Sequence, residues 1–128
     1  MYKSAHELVT EAKKSVKEAS SVEIQAAIDD PNNLVIDVRE PAEFQQGHLP
    51  GAINLPRGLL EFKISGDSSL QNLDRPIIVY CKTSGRAALS AVALQAMGFR
   101  NVVSLAGGFD AWCAEGRKTV KPAEVPFE

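Results

Sequence analysis

Cys81 is the residue in this sequence best placed to act as a nucleophile. It follows a short apolar run, Ile77–Tyr80, that predicts a buried strand, and it precedes an alanine- and leucine-rich segment, residues 86–97, that predicts a helix. The first turn of a helix presents N–H groups without intrahelical partners and carries a partial positive charge. Lys82 and Arg86 place two more positive charges nearby in the sequence. Together these features favour the thiolate, which is the nucleophilic form of cysteine.

The chain contains two cysteines, and only one of them has this setting. Cys81 lies where α/β folds place their ligands, at the carboxyl end of a predicted strand. The alternative for Cys81 is a chemically inert thiol that ends a buried strand. Cys113 follows Trp112 in a predicted short helix without neighbouring cations, which predicts an ordinary thiol. A role for Cys113 in resolving an intermediate formed on Cys81 is the alternative.

The histidines do not indicate a metal site. His6 lies in the amino-terminal helix and His48 in a predicted loop between Gly47 and Leu49, and no pair of residues has zinc-site spacing. We expect His48 to be a hydrogen-bonded loop residue, and we predict that the protein binds neither a metal nor a cofactor.

Strand and helix patterns alternate along the chain. After the amino-terminal region, strands are predicted at Leu34–Val38, around Ile53, at Ile77–Tyr80 and at Asn101–Leu105, and residues 16–19 are a candidate short edge strand. This alternation predicts one α/β domain with a parallel sheet that has helices on both faces.

The amino-terminal helix begins at Ser4, which forms a capping-box pattern with Glu7. Its apolar residues recur at helical spacing and form a narrow stripe: Ala5, Leu8, Val9, Ala12 and Val16. We expect this stripe to pack on its own domain, with a partner protein as the alternative.

Several charged residues lie at or shortly after the ends of the predicted strands and should meet at the carboxyl edge of the sheet. Asp37, Arg39 and Glu43 require partners if they are buried, so ion pairs that hold the loops are expected. Arg57 is either an accessory contact for an anion at the same edge or an exposed surface residue.

Composition limits the functional classes. The chain of 128 residues has a net charge of −2, 45% hydrophobic and 23% charged residues, which is ordinary for a single globular domain and gives no electrostatic footprint for nucleic acid or an anionic membrane. There is no apolar run of transmembrane length and no recognisable secretion signal, so we expect a cytoplasmic protein.

Three blocks of sequence resemble the rhodanese family of single-domain sulfurtransferases, and the resemblance covers about residues 16–116. Residues 37–54 resemble the family's upstream motif, residues 79–87 its active-site loop, and residues 107–112 its carboxyl-terminal motif. The resemblance implies a five-stranded, mostly parallel sheet with helices on both faces. It assigns residues 16–128 to the rhodanese-like domain and leaves residues 1–15 as an amino-terminal helical extension.

The resemblance also implies a reaction. Cys81 would be the catalytic residue that accepts sulfur, and the substrate-binding loop around it would consist of Lys82, Thr83, Ser84, Gly85 and Arg86. The thiolate would take sulfur from thiosulfate or another persulfide donor and pass it to a thiophilic acceptor such as cyanide, a thiol or a sulfur-relay protein.

Two alternatives stay open at this point. One is a sulfur carrier or interaction module of rhodanese fold that does not turn over. The other is a cysteine-dependent phosphatase or arsenate reductase. The related cell-cycle phosphatases and arsenate reductases, however, use a Cys-x5-Arg loop, one residue longer than the Cys-x4-Arg loop from Cys81 to Arg86. The commonest family loop has glycine where this chain has Ser84, which leaves the shape of the loop and the acceptor undetermined.

Overall fold

A computed structural model describes residues 1–122; the end of the predicted domain, residues 123–128, lies outside the described residues. A capping box at Ser4 starts the first helix, as the sequence predicts, and a second capping box at Ser20 starts the next helix. The elements in chain order are α1 (Ala5–Lys13), β1 (Lys17–Ala19), α2 (Ser21–Ala27), β2 (Leu34–Asp37), α3 (Pro41–Gln45), β3 (Ile53–Asn54), a 3-10 helix (Arg57–Leu59), α4 (Leu60–Ser65), a second 3-10 helix (Ser68–Leu70), β4 (Ile77–Tyr80), α5 (Gly85–Ala96), β5 (Val102–Leu105) and α6 (Gly108–Ala114).

The five strands form one sheet in the order β1-β5-β4-β2-β3, and every neighbouring pair is parallel. The predicted edge strand is confirmed, since Lys17–Ala19 pairs with β5. β4 lies at the centre, where Ile36 of β2 is opposite Val79 and Ile78 is opposite Val103 of β5. Every residue of β2 and β4 is buried, as is usual for a parallel sheet covered on both faces.

Successive residues of the central strands point to opposite faces and so enter two separate cores. On one face, Ile77 and Val79 pack with the inner residues of α4 and α5, among them Leu94. On the other face, Ile78 and Tyr80 pack with residues of α2 and α6. Trp112 of α6 is fully buried and anchors this second core.

α1 packs along the outside of α5, so the prediction that it lies on its own domain is confirmed. The contact involves only part of the predicted stripe. Ala12 and Val16 are buried, whereas Leu8 remains 44% exposed. No helix within residues 1–122 combines the length and the apolar character needed to cross a bilayer.

Candidate active site

Cys81 lies directly after β4, at the carboxyl edge of the sheet, and its side chain is buried. The chain then turns through three residues and enters α5 at Gly85. The backbone N–H of Ala87, in the first turn of α5, points at the Cys81 sulfur with an N–Sγ distance of 3.3 Å. The strand–loop–helix arrangement predicted from the sequence therefore brings a helix N-terminus onto the cysteine sulfur.

The first turn of α6 holds this loop from outside. The N–H of Phe109 donates to the carbonyl oxygen of Cys81 at 2.9 Å, and the N–H of Asp110 donates to that of Lys82 at 3.0 Å. Because the C=O and N–H of a trans peptide point in opposite directions, the N–H groups of Lys82 and Thr83 are directed away from α6.

Backbone N–H groups without a protein acceptor therefore accumulate in the loop. Across the described part of the chain, the N–H groups of residues 82–86 have no hydrogen-bond acceptor, and the next one is that of Ala87, on the Cys81 sulfur. Consecutive unpaired N–H groups at a loop and helix N-terminus are suited to hold an anion.

Gly108 makes the contact between α6 and the loop possible. It has a left-handed backbone, with φ of +61°, and a Cβ at this position would lie 2.3 Å from the Thr83 carbonyl oxygen and 2.6 Å from that of Cys81. The sequence indicates a turn at Gly107 and Gly108. It does not show that the second glycine lets one backbone approach another.

Arg86 forms a two-point ion pair with Glu43 of α3, with N–O distances of 2.6 and 3.1 Å. The hydrogen bonds from Arg86 lower the pKa of Glu43, and those to Glu43 raise the pKa of Arg86. The charges of Cys81 and Asp37 contribute further to the raised pKa of Arg86. Arg86 is thus braced by a carboxylate from the upstream motif.

Asp37 and Arg39 form the ion pair that the sequence analysis expects. Arg39 Nη2 lies 2.7 Å from Asp37 Oδ2 and also donates to the Gly47 carbonyl oxygen at 2.7 Å. The guanidinium lies 4.1 Å from the centre of the Phe109 ring, so it links the upstream motif to α6. Burial by itself would lower the pKa of Arg39, but the hydrogen bonds and charge of Asp37 raise it. Glu43 is not part of this pair.

Lys82 and Ser84 of the loop contact residues that are distant in the sequence. Lys82 Nζ forms an exposed ion pair with Asp110 Oδ2 at 2.9 Å. Ser84 Oγ accepts a hydrogen bond from Lys13 Nζ of α1 at 2.8 Å. Thr83 is exposed. Sequence reasoning missed both long-range contacts, because nothing local in the chain relates α1 or Asp110 to the loop.

The other candidate residues have more ordinary settings. His48 stacks on Phe44 with ring centres 3.9 Å apart, and its Nδ1 forms a hydrogen bond with the Leu49 carbonyl oxygen at 2.8 Å. The prediction that His48 is a hydrogen-bonded loop residue is confirmed. Arg57 forms an ion pair with Glu61 at 2.9 Å. Residues 1–122 contain no cluster of three or more side chains suited to hold a metal ion.

The rhodanese-like domain family matches residues 20–115 of the chain. The chain belongs to the rhodanese-like family. This match spans the upstream motif, the Cys81 loop and the glycine turn before α6, so the resemblance seen in the sequence is confirmed.

Two curated relatives of this rhodanese-like chain are sulfurtransferases. It is 33% identical over 98 residues to a sulfurtransferase of Allochromatium vinosum, covering 77% of this chain and 88% of the relative. It is 30% identical over 100 residues to a thiosulfate sulfurtransferase of Pseudomonas syringae, covering 77% of this chain and 85% of the relative. These similarities assign the rhodanese-like chain to a family that includes sulfurtransferases.

A solved structure resembles the fold over almost its whole length. It belongs to a protein of unknown function from Rhodopseudomonas palustris, described as a possible tyrosine phosphatase. The two are 27% identical with a TM-score of 0.82, and the similarity covers 92% of this chain and 95% of the other. This likeness supports the rhodanese-like fold of the chain and does not by itself distinguish sulfur transfer from phosphate chemistry.

Proposed function

We propose that this protein is a sulfurtransferase that carries sulfane sulfur on Cys81, from thiosulfate or another persulfide donor to a thiophilic acceptor such as cyanide or a thiol. The observation that carries the proposal is the setting of the Cys81 sulfur. It accepts the Ala87 N–H, and the five N–H groups of the loop that follows, residues 82–86, have no acceptor among residues 1–122. Such groups stabilise a negative charge on sulfur in both the thiolate and the persulfide.

The reaction has two displacement steps at sulfur. In the first, the Cys81 thiolate attacks the outer sulfur of thiosulfate, a new S–S bond forms, and the old S–S bond breaks with its electron pair leaving on sulfite. In the second, the acceptor attacks the outer persulfide sulfur, and the electron pair of the S–S bond returns to Cys81. This is covalent, ping-pong catalysis that needs neither an oxidant nor a general base if the thiolate is present at the start.

The loop residues have distinct roles in this proposal. Residues 82–86 supply backbone N–H groups to the persulfide and to the anionic donor. Arg86 also holds the beginning of α5 in place, because its guanidinium is fixed by both oxygens of Glu43. Lys82 contributes less positive charge than its sequence position suggests, since Asp110 lies 2.9 Å from its ammonium group.

Loop length supports sulfur transfer over phosphate chemistry. Four residues separate Cys81 from Arg86, one fewer than in the resembling phosphatases and arsenate reductases. The fold similarity to a possible phosphatase makes a direct comparison of the two reactions worthwhile.

The deciding experiment is the intact mass of the protein after incubation with thiosulfate, followed by removal of the small molecules. We expect the mass to rise by one sulfur atom and to return to its original value when cyanide is added. Cys81→Ser should abolish the gain, while Cys113→Ser, which changes the exposed second cysteine, should retain it. Absence of the added sulfur in the wild type, together with hydrolysis of an aryl phosphate that needs Cys81, would overturn the proposal.

Steady-state kinetics separate an enzyme from a carrier. A sulfurtransferase will form many equivalents of thiocyanate from thiosulfate and cyanide, in a double-reciprocal pattern of parallel lines. A carrier will accept sulfur from a persulfide-forming partner, such as a cysteine desulfurase, but will not turn over with thiosulfate.

A further inference from the structure

We propose that Lys13 of α1 is part of the anion-binding surface of the Cys81 loop and gives the site its preference for negatively charged sulfur donors. The inference rests on the proposed function for the identity of the donor. Its structural basis is the 2.8 Å hydrogen bond between Lys13 Nζ and Ser84 Oγ, which joins residues 71 positions apart in the sequence.

The balance of charge at the loop makes Lys13 important. Lys82 is paired with Asp110, and Arg86 is paired with both oxygens of Glu43. Lys13, by contrast, has no carboxylate within ion-pair distance among residues 1–122, and its bonding partner is a neutral hydroxyl. Within residues 1–122, the cation that bonds to the loop without a balancing carboxylate therefore comes from α1.

Ser84 is used in an unusual way for its position. It is the N-cap residue of α5, where a serine oxygen ordinarily accepts an N–H from the first turn of its own helix. Here the side chain makes no capping bond, and its oxygen is directed to Lys13 instead. The N–H groups at the start of α5 consequently remain available to the site, and the hydroxyl serves as an attachment point for a cation.

α1 is fixed against α5 in a way that holds Lys13 at the loop. Ala12 is buried in the interface, and Val9 packs at the beginning of α5, 3.5 Å from where a Cβ of Gly85 would lie. Further along, Gln95 Nε2 donates to the Ser15 carbonyl oxygen at 3.0 Å. Lys13 lies between these contacts, so its ammonium group approaches the loop from a supported backbone.

An unbalanced positive charge at the loop attracts an anion such as thiosulfate more than a neutral sulfur compound. Lys13 does not touch Cys81 in the structure, so its effect is on donor binding and not on the bond-breaking step. We expect Lys13→Met to raise the KM for thiosulfate about threefold to fivefold while leaving kcat nearly unchanged, as is typical of the loss of one exposed charge.

The test compares how fast Cys81 reacts with anionic iodoacetate and with neutral iodoacetamide. In both reactions the sulfur forms a bond to carbon and iodide leaves, so the fraction of thiolate affects both rates equally and cancels in their ratio. Alkylation is measured by mass spectrometry in the Cys113→Ser variant, so that Cys81 is the cysteine that reacts. This measurement does not depend on sulfur transfer.

The matched control is Lys14, which is adjacent to Lys13 and exposed and makes no side-chain hydrogen bond or ion pair within residues 1–122. We expect Lys13→Met to lower the iodoacetate-to-iodoacetamide ratio about threefold and Lys14→Met to change it little. Lys13→Arg, which retains the charge, should keep the wild-type ratio. In salt of about 1 M, where the screening length is about 3 Å, the difference between the Lys13 and Lys14 variants should disappear.

Equal ratios for Lys13→Met and Lys14→Met would overturn the role of Lys13, whether or not the protein transfers sulfur. A lowered ratio for Lys13→Met alone, in a protein whose wild type gains no sulfur from thiosulfate and hydrolyses an aryl phosphate through Cys81, would support Lys13 as an anion-binding residue and reject the proposed function. The two hypotheses therefore fail separately.

Discussion

Arg86 and Glu43 form an ion pair that joins the start of α5 to α3, with Nη1–Oε1 and Nη2–Oε2 distances of 2.6 and 3.1 Å. The pair links the Cys81 loop to the upstream motif across 43 residues of sequence. The two side chains are 35% and 32% exposed, so solvent and salt weaken their attraction without removing it.

The pH dependence of stability should reveal this pair. Arg86 lowers the pKa of Glu43 below its ordinary value of 4.5, so the resulting stability is present above that value and is lost as the pH falls through the lower, folded-state pKa. We expect Glu43→Gln to reduce the free energy of unfolding by up to about 1 kcal/mol near neutral pH, after allowance for solvent screening.

Urea unfolding at about pH 7 and about pH 3 will measure the effect, because the difference between wild type and variant should shrink in acid. Glu18→Gln provides the control, since Glu18 is an exposed β1 carboxylate without an ion pair within residues 1–122. A difference that stays constant with pH would show that the substitution acts through packing instead.

Gly108→Ala should damage both the fold and the site. A Cβ at Gly108 would approach the carbonyl oxygens of Thr83, Lys82 and Cys81 at 2.3 to 2.7 Å, so the loop or α6 must move. Gly116→Ala is the matched control: φ is also left-handed, at +70°, but nothing lies within 4 Å of the added atom.

Gly116→Ala should lower the free energy of unfolding by only about 1–2 kcal/mol, because a residue with a Cβ is strained in the left-handed conformation. Gly108→Ala should lower the free energy of unfolding further, and it should gain much less sulfur from thiosulfate than the wild type. Thermal melting and intact mass will report the two effects. Equal behaviour of both variants would mean that the close approach of α6 does not shape the loop.

Asp37→Asn should be among the most destabilising single changes in the chain. The Asp37 and Arg39 side chains are 0% and 5% exposed, so the substitution leaves a buried guanidinium without its counter-ion. Breaking one partner of a buried pair typically costs about 3–5 kcal/mol.

The comparison for this variant is Asp74→Asn, which removes an exposed partner of Arg100 and should cost less than about 1 kcal/mol. Chemical denaturation of both proteins will give the two free energies. A cost for Asp37→Asn as small as that for Asp74→Asn would contradict the structural role of the buried pair.

Asp110→Asn should improve binding of an anionic donor. The substitution frees the ammonium group of Lys82, which now lies 2.9 Å from the Asp110 carboxylate, and it leaves the backbone bond from Asp110 to the loop intact. We expect the KM for thiosulfate to fall about twofold to threefold at low salt, and the gain to vanish as salt rises.

Alkylation of Cys81 by neutral iodoacetamide should be much less affected than alkylation by iodoacetate in this variant. An unchanged KM at low salt would show that Lys82 does not contribute to donor binding, even when its charge is released.

The sequence alone determined the elements that carry the site. The apolar Ile77–Tyr80 run, the helix-forming residues after Cys81 and the capping serines act over a few residues, so their structural meaning can be read locally. The alternation of strands and helices was enough to predict a parallel sheet, and its central strand does deliver Cys81 to the carboxyl edge. The resemblance to one family followed from the same local motifs.

Only the tertiary structure decided which charges neutralise each other. Sequence reasoning grouped Glu43 with Asp37 and Arg39, but folding brings Glu43 to Arg86 instead. It likewise brings Lys13 to the loop. A side chain's charge is evident from its residue type, whereas its partner depends on which elements pack together, and ion pairs form at distances of a few ångströms regardless of separation along the chain. The electrostatic character of the Cys81 loop is for that reason a property of the packed elements.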